Sequence, residues 1–148
     1  MLFRSLSFAT VGATAGQVIQ VLGATDTSNR STTSTSFVTA SNTLSVSITP
    51  SATANKILIL VNIGQVNADN GYFTIYRGST NLGSGSKSAL AYFNGAAVAW
   101  NSSMIYLDSP STTSATTYQV YIKSNGGGTC TMYNSVATAT ITCMEIKG

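Results

Sequence analysis

Leu44-Ser45-Val46-Ser47-Ile48-Thr49-Pro50 is followed, after Ser51–Asn55, by Lys56-Ile57-Leu58-Ile59-Leu60-Val61. The first stretch alternates, so that Leu44, Val46 and Ile48 fall on one face of a strand, and Pro50, which has no N–H to give a ladder, ends it. The second stretch differs in kind. Five consecutive apolar residues at strand length imply burial on both faces. In a two-sheet sandwich only one face of each sheet meets the core, so the second face of Ile57–Val61 needs another cover. A neighbouring subunit is the simplest one, and a loop of the same chain is the alternative.

The same period of two runs outward in both directions. Towards the N-terminus, Gln17–Leu22 and Ser36–Thr39 read as strands, separated by a polar run from Thr25 to Ser36 in which Asp26, Ser28 and Asn29 favour turns. Towards the C-terminus, Val61–Val66 and Tyr72–Arg77 flank an Asn70-Gly71 turn. Ala89–Phe93 and Val98–Leu107 follow around Asn94-Gly95, and Gly83–Ser86 reads as a loop. Thr116–Lys123 alternates with Tyr118, Val120 and Ile122 on one face, and Thr129–Tyr133 and Thr138–Ile146 close the series. No segment carries a helical period. Short strands with a turn signal every ~8–12 residues predict an all-β fold, an antiparallel β-sandwich with a jelly-roll layout. The expected division is an N-terminal arm over 1–15, lying on another surface, and a sandwich domain over 16–148.

Composition excludes most chemistry. The 148 residues contain no histidine, and their only acids, Asp26, Asp69, Asp108 and Glu145, stand singly along the chain. Acid–base catalysis near neutral pH relies on His or on carboxylates set close together. Charged residues make up 7%, against roughly 25% in ordinary soluble domains. Ser and Thr fill 43 positions in their place. An ordinary apolar share with so little charge describes a folded chain with a neutral surface, which repels its own copies little. The net charge of +3 comes from seven dispersed cations. A pI raised by scarce acids is not a basic patch, and nucleic-acid binding is not expected. No stretch approaches the roughly 20 apolar residues of a membrane helix. The Ser/Thr-broken start, Met1–Ala15, lacks the continuous apolar centre of a signal peptide.

The individual residues with chemical capacity have bland readings beside the sharp ones. Cys130 and Cys143 flank an expected hairpin with its turn around Ser135–Ala137, which would set them nearly opposite and open a disulfide to them. Two small buried thiols are the favoured reading. Without a histidine neither has an activating base. No residue set has metal spacing; a calcium site at Asp69 and Asn70 would rest on one carboxylate. No glycine run has the form of a phosphate loop, and no cofactor is expected. Tyr72, Tyr76, Tyr92 and Trp100, beside Asn94 and Asn101, would suit a sugar-stacking patch. The favoured reading is that these rings fill sheet faces and subunit contacts.

From Gln17 onward the chain resembles a domain that recurs in bacteriophage virion proteins. The resemblance rests on the order of Thr33–Val38, Leu44–Pro50, Asn55–Val61, Tyr76-Arg77-Gly78, Tyr106–Pro110, Thr117–Val120 and Ile141–Ile146. It implies a β-sandwich, often trimeric, on the outside of a virion and assembled in the host cytoplasm. The short arm and the missing shaft repeats favour a capsid-decorating (cement) protein, a homotrimer gripping the major capsid protein. Leu2, Phe3, Arg4, Leu6 and Phe8 of the arm and Ile57, Ile59 and Val61 are the expected subunit or capsid contacts. The alternative is a tail-fibre or head-fibre tip, with Tyr72, Tyr76, Tyr92 and Trp100 facing a host receptor. The family pattern defines a scaffold, so it transfers no catalytic, cofactor or metal residue.

Overall fold

The computed structural model describes residues 12–68, 71–93 and 100–148. Twelve strands account for the secondary structure of these residues: β1 (Val18–Asp26), β2 (Arg30–Thr32), β3 (Val38–Thr39), β4 (Ser45–Ile48), β5 (Lys56–Ala68), β6 (Gly71–Arg77), β7 (Thr80–Asn81), β8 (Ala91–Phe93), β9 (Trp100–Asp108), β10 (Thr116–Ser124), β11 (Cys130–Tyr133) and β12 (Ala139–Ile146). They form two antiparallel sheets. The first runs β1-β12-β5-β9, with β11 and β2 continuing beside the far half of β5. In the second, β10 and β6 lie at the centre, flanked by β3 and β4 on one side and by β7 and β8 on the other.

The pairing is nested. The first strand pairs with the last (β1 with β12), β4 with β10, β5 with β9, and β6 with β7 and β8. A long antiparallel ribbon folded over so that β12 also meets β5, and β10 meets β6, is a jelly roll. The expected fold class therefore holds.

Strand alternation builds the core. Ile57, Ile59, Val61 and Ile63 of β5 face Phe73 and Ile75 of β6 and Tyr118, Val120 and Ile122 of β10 in one buried cluster, together with Leu44, Val46 and Ile48. Up to Ile63 the odd-numbered residues of β5 are thus interior; past the register shift at Gly64 it is Val66 that lies in the core. Ile57, Ile59 and Val61, expected at a subunit or capsid contact, are packed inside the sandwich and cannot touch a partner. The period of two hands the outward positions to Leu58 and Leu60, which are half-buried.

The expected hairpin of the last two strands is replaced by a different arrangement. β11 and β12 do not pair with each other. Both pair with β5, β12 with residues 56–62 and β11 with residues 65–68, so they lie end to end along one side of it. Residues 134–138 bridge them opposite a register shift between Ile63 and Gln65 of β5. At that shift Gly64 lies so close to the bridge that a Cβ there would fall on the Ala137 carbonyl oxygen. Cys130 and Cys143 are consequently not opposite one another; both are buried free thiols. Two short strands also go beyond the sequence reading: β2 lies within the polar run, and β7 lies between the Tyr72–Arg77 strand and the Gly83–Ser86 loop.

Two buried polar clusters hold loops and sheets together. Asp108, at the end of β9, accepts from Arg77 Nη1 at 2.9 and 3.0 Å and from Tyr118 Oη at 2.6 Å. The two sheets are thereby joined by a charge-assisted triad whose inner members are almost wholly buried. Glu145 Oε1 accepts from the Ser51 N–H at 2.6 Å, Ser51 Oγ at 2.8 Å and Asn55 Nδ2 at 2.6 Å, which pins the turn before β5 to the last strand.

A Gly64→Ala chain is expected to lose about 1–3 kcal/mol of stability, because backbone rather than a flexible side chain must move to make room. Gly126→Ala, where the added Cβ meets nothing, is expected to be neutral. Denaturant midpoints of the two variants against the parent check this, and equal midpoints for all three would contradict the bridge-over-bulge geometry.

Candidate functional site

Carboxylates are the first places to look for catalysis, and each described one is occupied by the fold. Asp26 accepts from Arg30 Nε at 2.8 Å and from the Ser28 N–H at 2.9 Å. Burial alone would raise its pKa, but the hydrogen bonds from Arg30, Ser41 and Ser28 outweigh it and hold the carboxyl well below the usual carboxylate range. Glu145 behaves alike: burial opposes the charge, and donation from Asn55 and Ser51 still leaves the pKa lowered. Asp108 is held by Arg77 and Tyr118, whose own phenol is pushed up first by burial and then by its bond to Asp108. No two of these acids share a hydrogen-bond partner. Asp69 and Asn70, the residues of the calcium reading, lie outside the described residues. Among the described residues no cluster of three metal-ligating side chains occurs. Burial also pushes both thiols up to about 12, which suits packing and not nucleophilic attack.

The outward face of the β1-β12-β5-β9 sheet is the first candidate surface. Register places Val21, Met144, Leu58 and Leu107 in one row across the four strands, and Gly23, Thr142, Leu60 and Ile105 in the next. Val21 is 54%, Leu107 51% and Ile105 67% exposed. A third row, Val18, Ile146 and Lys56, brings in the one cation of these rows, at their margin. The face is therefore an apolar stripe with no charge in its middle. This is the second face of Ile57–Val61 that the sequence requires to be covered, and the half-buried state of Leu58 and Leu60 shows it open within the isolated chain. Leu2, Phe3, Arg4, Leu6 and Phe8 lie outside the described residues.

The outward face of the other sheet is aromatic. Tyr72 and Tyr92 are direct cross-strand partners on β6 and β8 and stack at 4.6 Å with their planes 13° apart. Further along, Tyr76 stacks on Tyr121 at 4.0 Å, with Phe37 edge-on to Tyr76. Lys123 lies between the two groups, its ammonium 4.4 Å from the Phe37 centroid and 5.2 Å from that of Tyr72. The expected patch of Tyr72, Tyr76, Tyr92 and Trp100 is thus brought together on one face for its three tyrosines; the Trp100 side chain lies outside the described residues, as does Asn94. The lysines are what sequence reasoning missed. The signal was present, since Lys123 sits two residues from Tyr121 and therefore shares its face, whereas Lys87 arrives by way of a loop with no period.

That loop follows β7 and lies over the sheet. Thr74 Oγ1 donates to Asn81 Oδ1 at 2.6 Å, Asn81 Nδ2 donates to the Ser88 carbonyl at 2.8 Å, and Lys123 Nζ donates to the Lys87 carbonyl at 3.2 Å. Gly85 and Ser88 take positive φ to close the turn. Between loop and sheet a cleft of about 560 Å³ opens, within the roughly 300–1,000 Å³ range of small-molecule sites.

No family model matches the chain, and no curated protein matches it. Among solved structures, it aligns over 99% of its length with 43% of a chain in the structure of infectious bursal disease virus Gt strain, at 16% identity and a TM-score of 0.44. The chain thus spans less than half the length of that protein. No helix among the described residues is long and apolar enough to cross a membrane.

Because Asp26 and Glu145 have depressed pKa values in the folded chain, their contribution is present above the unfolded carboxylate range, roughly pH 4–4.5, and is lost as pH falls. With no histidine, the melting temperature is expected to stay level from about pH 5.5 to 7.5 and to drop below about pH 4. Glu145→Gln should flatten that drop, and a melting temperature unchanged at pH 3 would contradict the assignment. The two thiols should react with a disulfide reagent at pH 8 only as fast as the chain unfolds, which a stopped-flow comparison with and without denaturant reads directly.

Proposed function

We propose that this chain is a structural protein of a bacteriophage virion, a capsid-decorating (cement) protein that binds the outer shell of major capsid protein as a homotrimer and reinforces it. The observation that carries this reading is the apolar face of β1-β12-β5-β9, on whose rows the one charge, Lys56, stands at the margin. Fully burying an exposed Ile or Leu side chain is worth about 1.5–3 kcal/mol, while association costs about 4–15 kcal/mol in lost freedom. A few such side chains therefore offset the cost only when further contacts surround them. Three strand spacings of about 4.8 Å and two or three rows give a stripe of roughly 200–300 Å², against about 800 Å² per partner in a stable interface. The stripe is the centre of an interface, and the arm with Leu2, Phe3, Leu6 and Phe8 is the proposed remainder. The low charge supports the same reading, since closely packed copies repel little and their contacts depend little on salt.

The second reading, a fibre tip binding a host receptor, is favoured by the aromatic, lysine-bearing cleft on the opposite sheet. Copy number separates the two: a decoration protein is expected in many copies per particle, a fibre tip in a handful. The interface itself is tested by Ile105→Asp and Leu107→Asp, which place a charge on the exposed stripe without touching the core. Sedimentation is expected to show loss of the oligomer, and pull-down on empty capsids loss of binding, with the melting behaviour of the domain retained. Unchanged assembly and capsid binding in both variants would sink the decoration reading.

A further inference from the structure

The cleft over β6 and β8 has a chemistry that self-association does not use. We infer that it is a binding site for an acidic saccharide, a sugar ring carrying a carboxylate or sulfate group. Three observations support this, and none depends on the decoration reading.

The first is the ring. Tyr92 lies on β8 at the margin of its sheet and is 48% exposed, while its stacking partner Tyr72 is 3% exposed. A buried aromatic thus backs an accessible one and fixes its plane, so little side-chain freedom is lost when an apolar sugar face lies against it.

The second is the charge. Lys87 and Lys123 both hold their ammonium groups over Tyr72, at 5.9 and 5.2 Å from its centroid. Like charges brought to one ring repel, and the cleft lining contains no carboxylate. The three described acids are engaged elsewhere, Asp26 with Arg30, Asp108 with Arg77 and Tyr118, and Glu145 with Ser51 and Asn55. The positive field at the cleft is therefore uncompensated among the described residues, and an anion is what it attracts.

The third is the rest of the lining. Ser84, Ser86 and Asn125 also line the cleft. Short hydroxyl and amide groups that both donate and accept suit the hydroxyls of a sugar, and a simple inorganic anion would leave them and the ring unused. The bonds from Lys123 to the Lys87 carbonyl and from Asn81 to the Ser88 carbonyl hold the loop against the sheet, so the wall exists before ligand arrives.

The geometry of the sandwich gives the site a direction. The outward faces of its two sheets point opposite ways, so a chain seated by the apolar stripe presents the aromatic cleft away from its support.

Titration of the full chain with sialyllactose, a sulfated galactose, lactose and inorganic sulfate, followed by nuclear magnetic resonance shifts, tests the inference. Binding of one or both acidic sugars, with lactose and sulfate at least about tenfold weaker, is expected, since a hydrogen bond to a charged group is worth that much. Which acidic sugar binds tells carboxylate from sulfate ester. Lys87→Ala and Tyr92→Ala should each weaken binding by about tenfold or more. Ile105→Asp, on the other sheet, should leave binding unchanged even where it abolishes assembly, so the two readings fail separately. Equal affinity for lactose, equal affinity for inorganic sulfate, or full binding by Lys87→Ala with intact shifts elsewhere would overturn the site.

Discussion

The strand from Lys56 to Ala68 organises the molecule. It pairs with β9 along one side and with β12 and β11 along the other, and its alternation separates what is buried from what is presented. Ile57, Ile59, Val61 and Ile63 form the middle of the core, and Leu58 and Leu60 form the middle of the apolar stripe. Because the period of a strand is two, these sets cannot be exchanged without shifting the register of every neighbour. The register shift at Gly64 releases that constraint once, so that Val66 and not Gln65 returns to the core.

Polar groups inside the sandwich act as joints. The Arg77–Asp108–Tyr118 triad ties the two sheets together near the ends of β6 and β9, and Glu145 with Ser51 and Asn55 ties a loop to the last strand. In a chain with so few acids, using the described three in this way leaves Lys87 and Lys123 without a carboxylate partner among the described residues. The scarcity of acids and the cationic cleft are one property seen from inside and from outside.

The two outward sheet faces have opposite characters for a reason that begins in composition. Ser and Thr supply hydrogen-bonding surface without charge, so a strand can carry Leu or Ile outward without a flanking charge to keep copies apart. On the first sheet this leaves an exposed apolar stripe. On the second, Tyr72 is buried, Phe37, Tyr76 and Tyr121 are half-buried, and Tyr92 is the most open of the described rings.

Much of this was legible from residues alone. The alternation of Leu44–Ile48 and Thr116–Lys123 marks strands and their inner faces, and the unbroken run Ile57–Val61 announces a second face in need of cover. Those features are local, because side-chain direction in a strand follows from the backbone period. Which half of Ile57–Val61 faces out was not legible, since an all-apolar run has no polar member to mark the wet side; Ile57, Ile59 and Val61 proved to be the inner half. The relation of Cys130 to Cys143 was hidden likewise, because a turn sequence at Ser135–Ala137 serves a hairpin and a bridge over a bulge equally well. Tertiary structure alone brought Lys87 to Lys123 over Tyr72, across 36 residues of chain. Pairing between distant strands and the lie of a loop depend on contacts that no local period encodes, so the sequence determined the long strands and the scarcity of charge, and the packing decided where the remaining charge would meet.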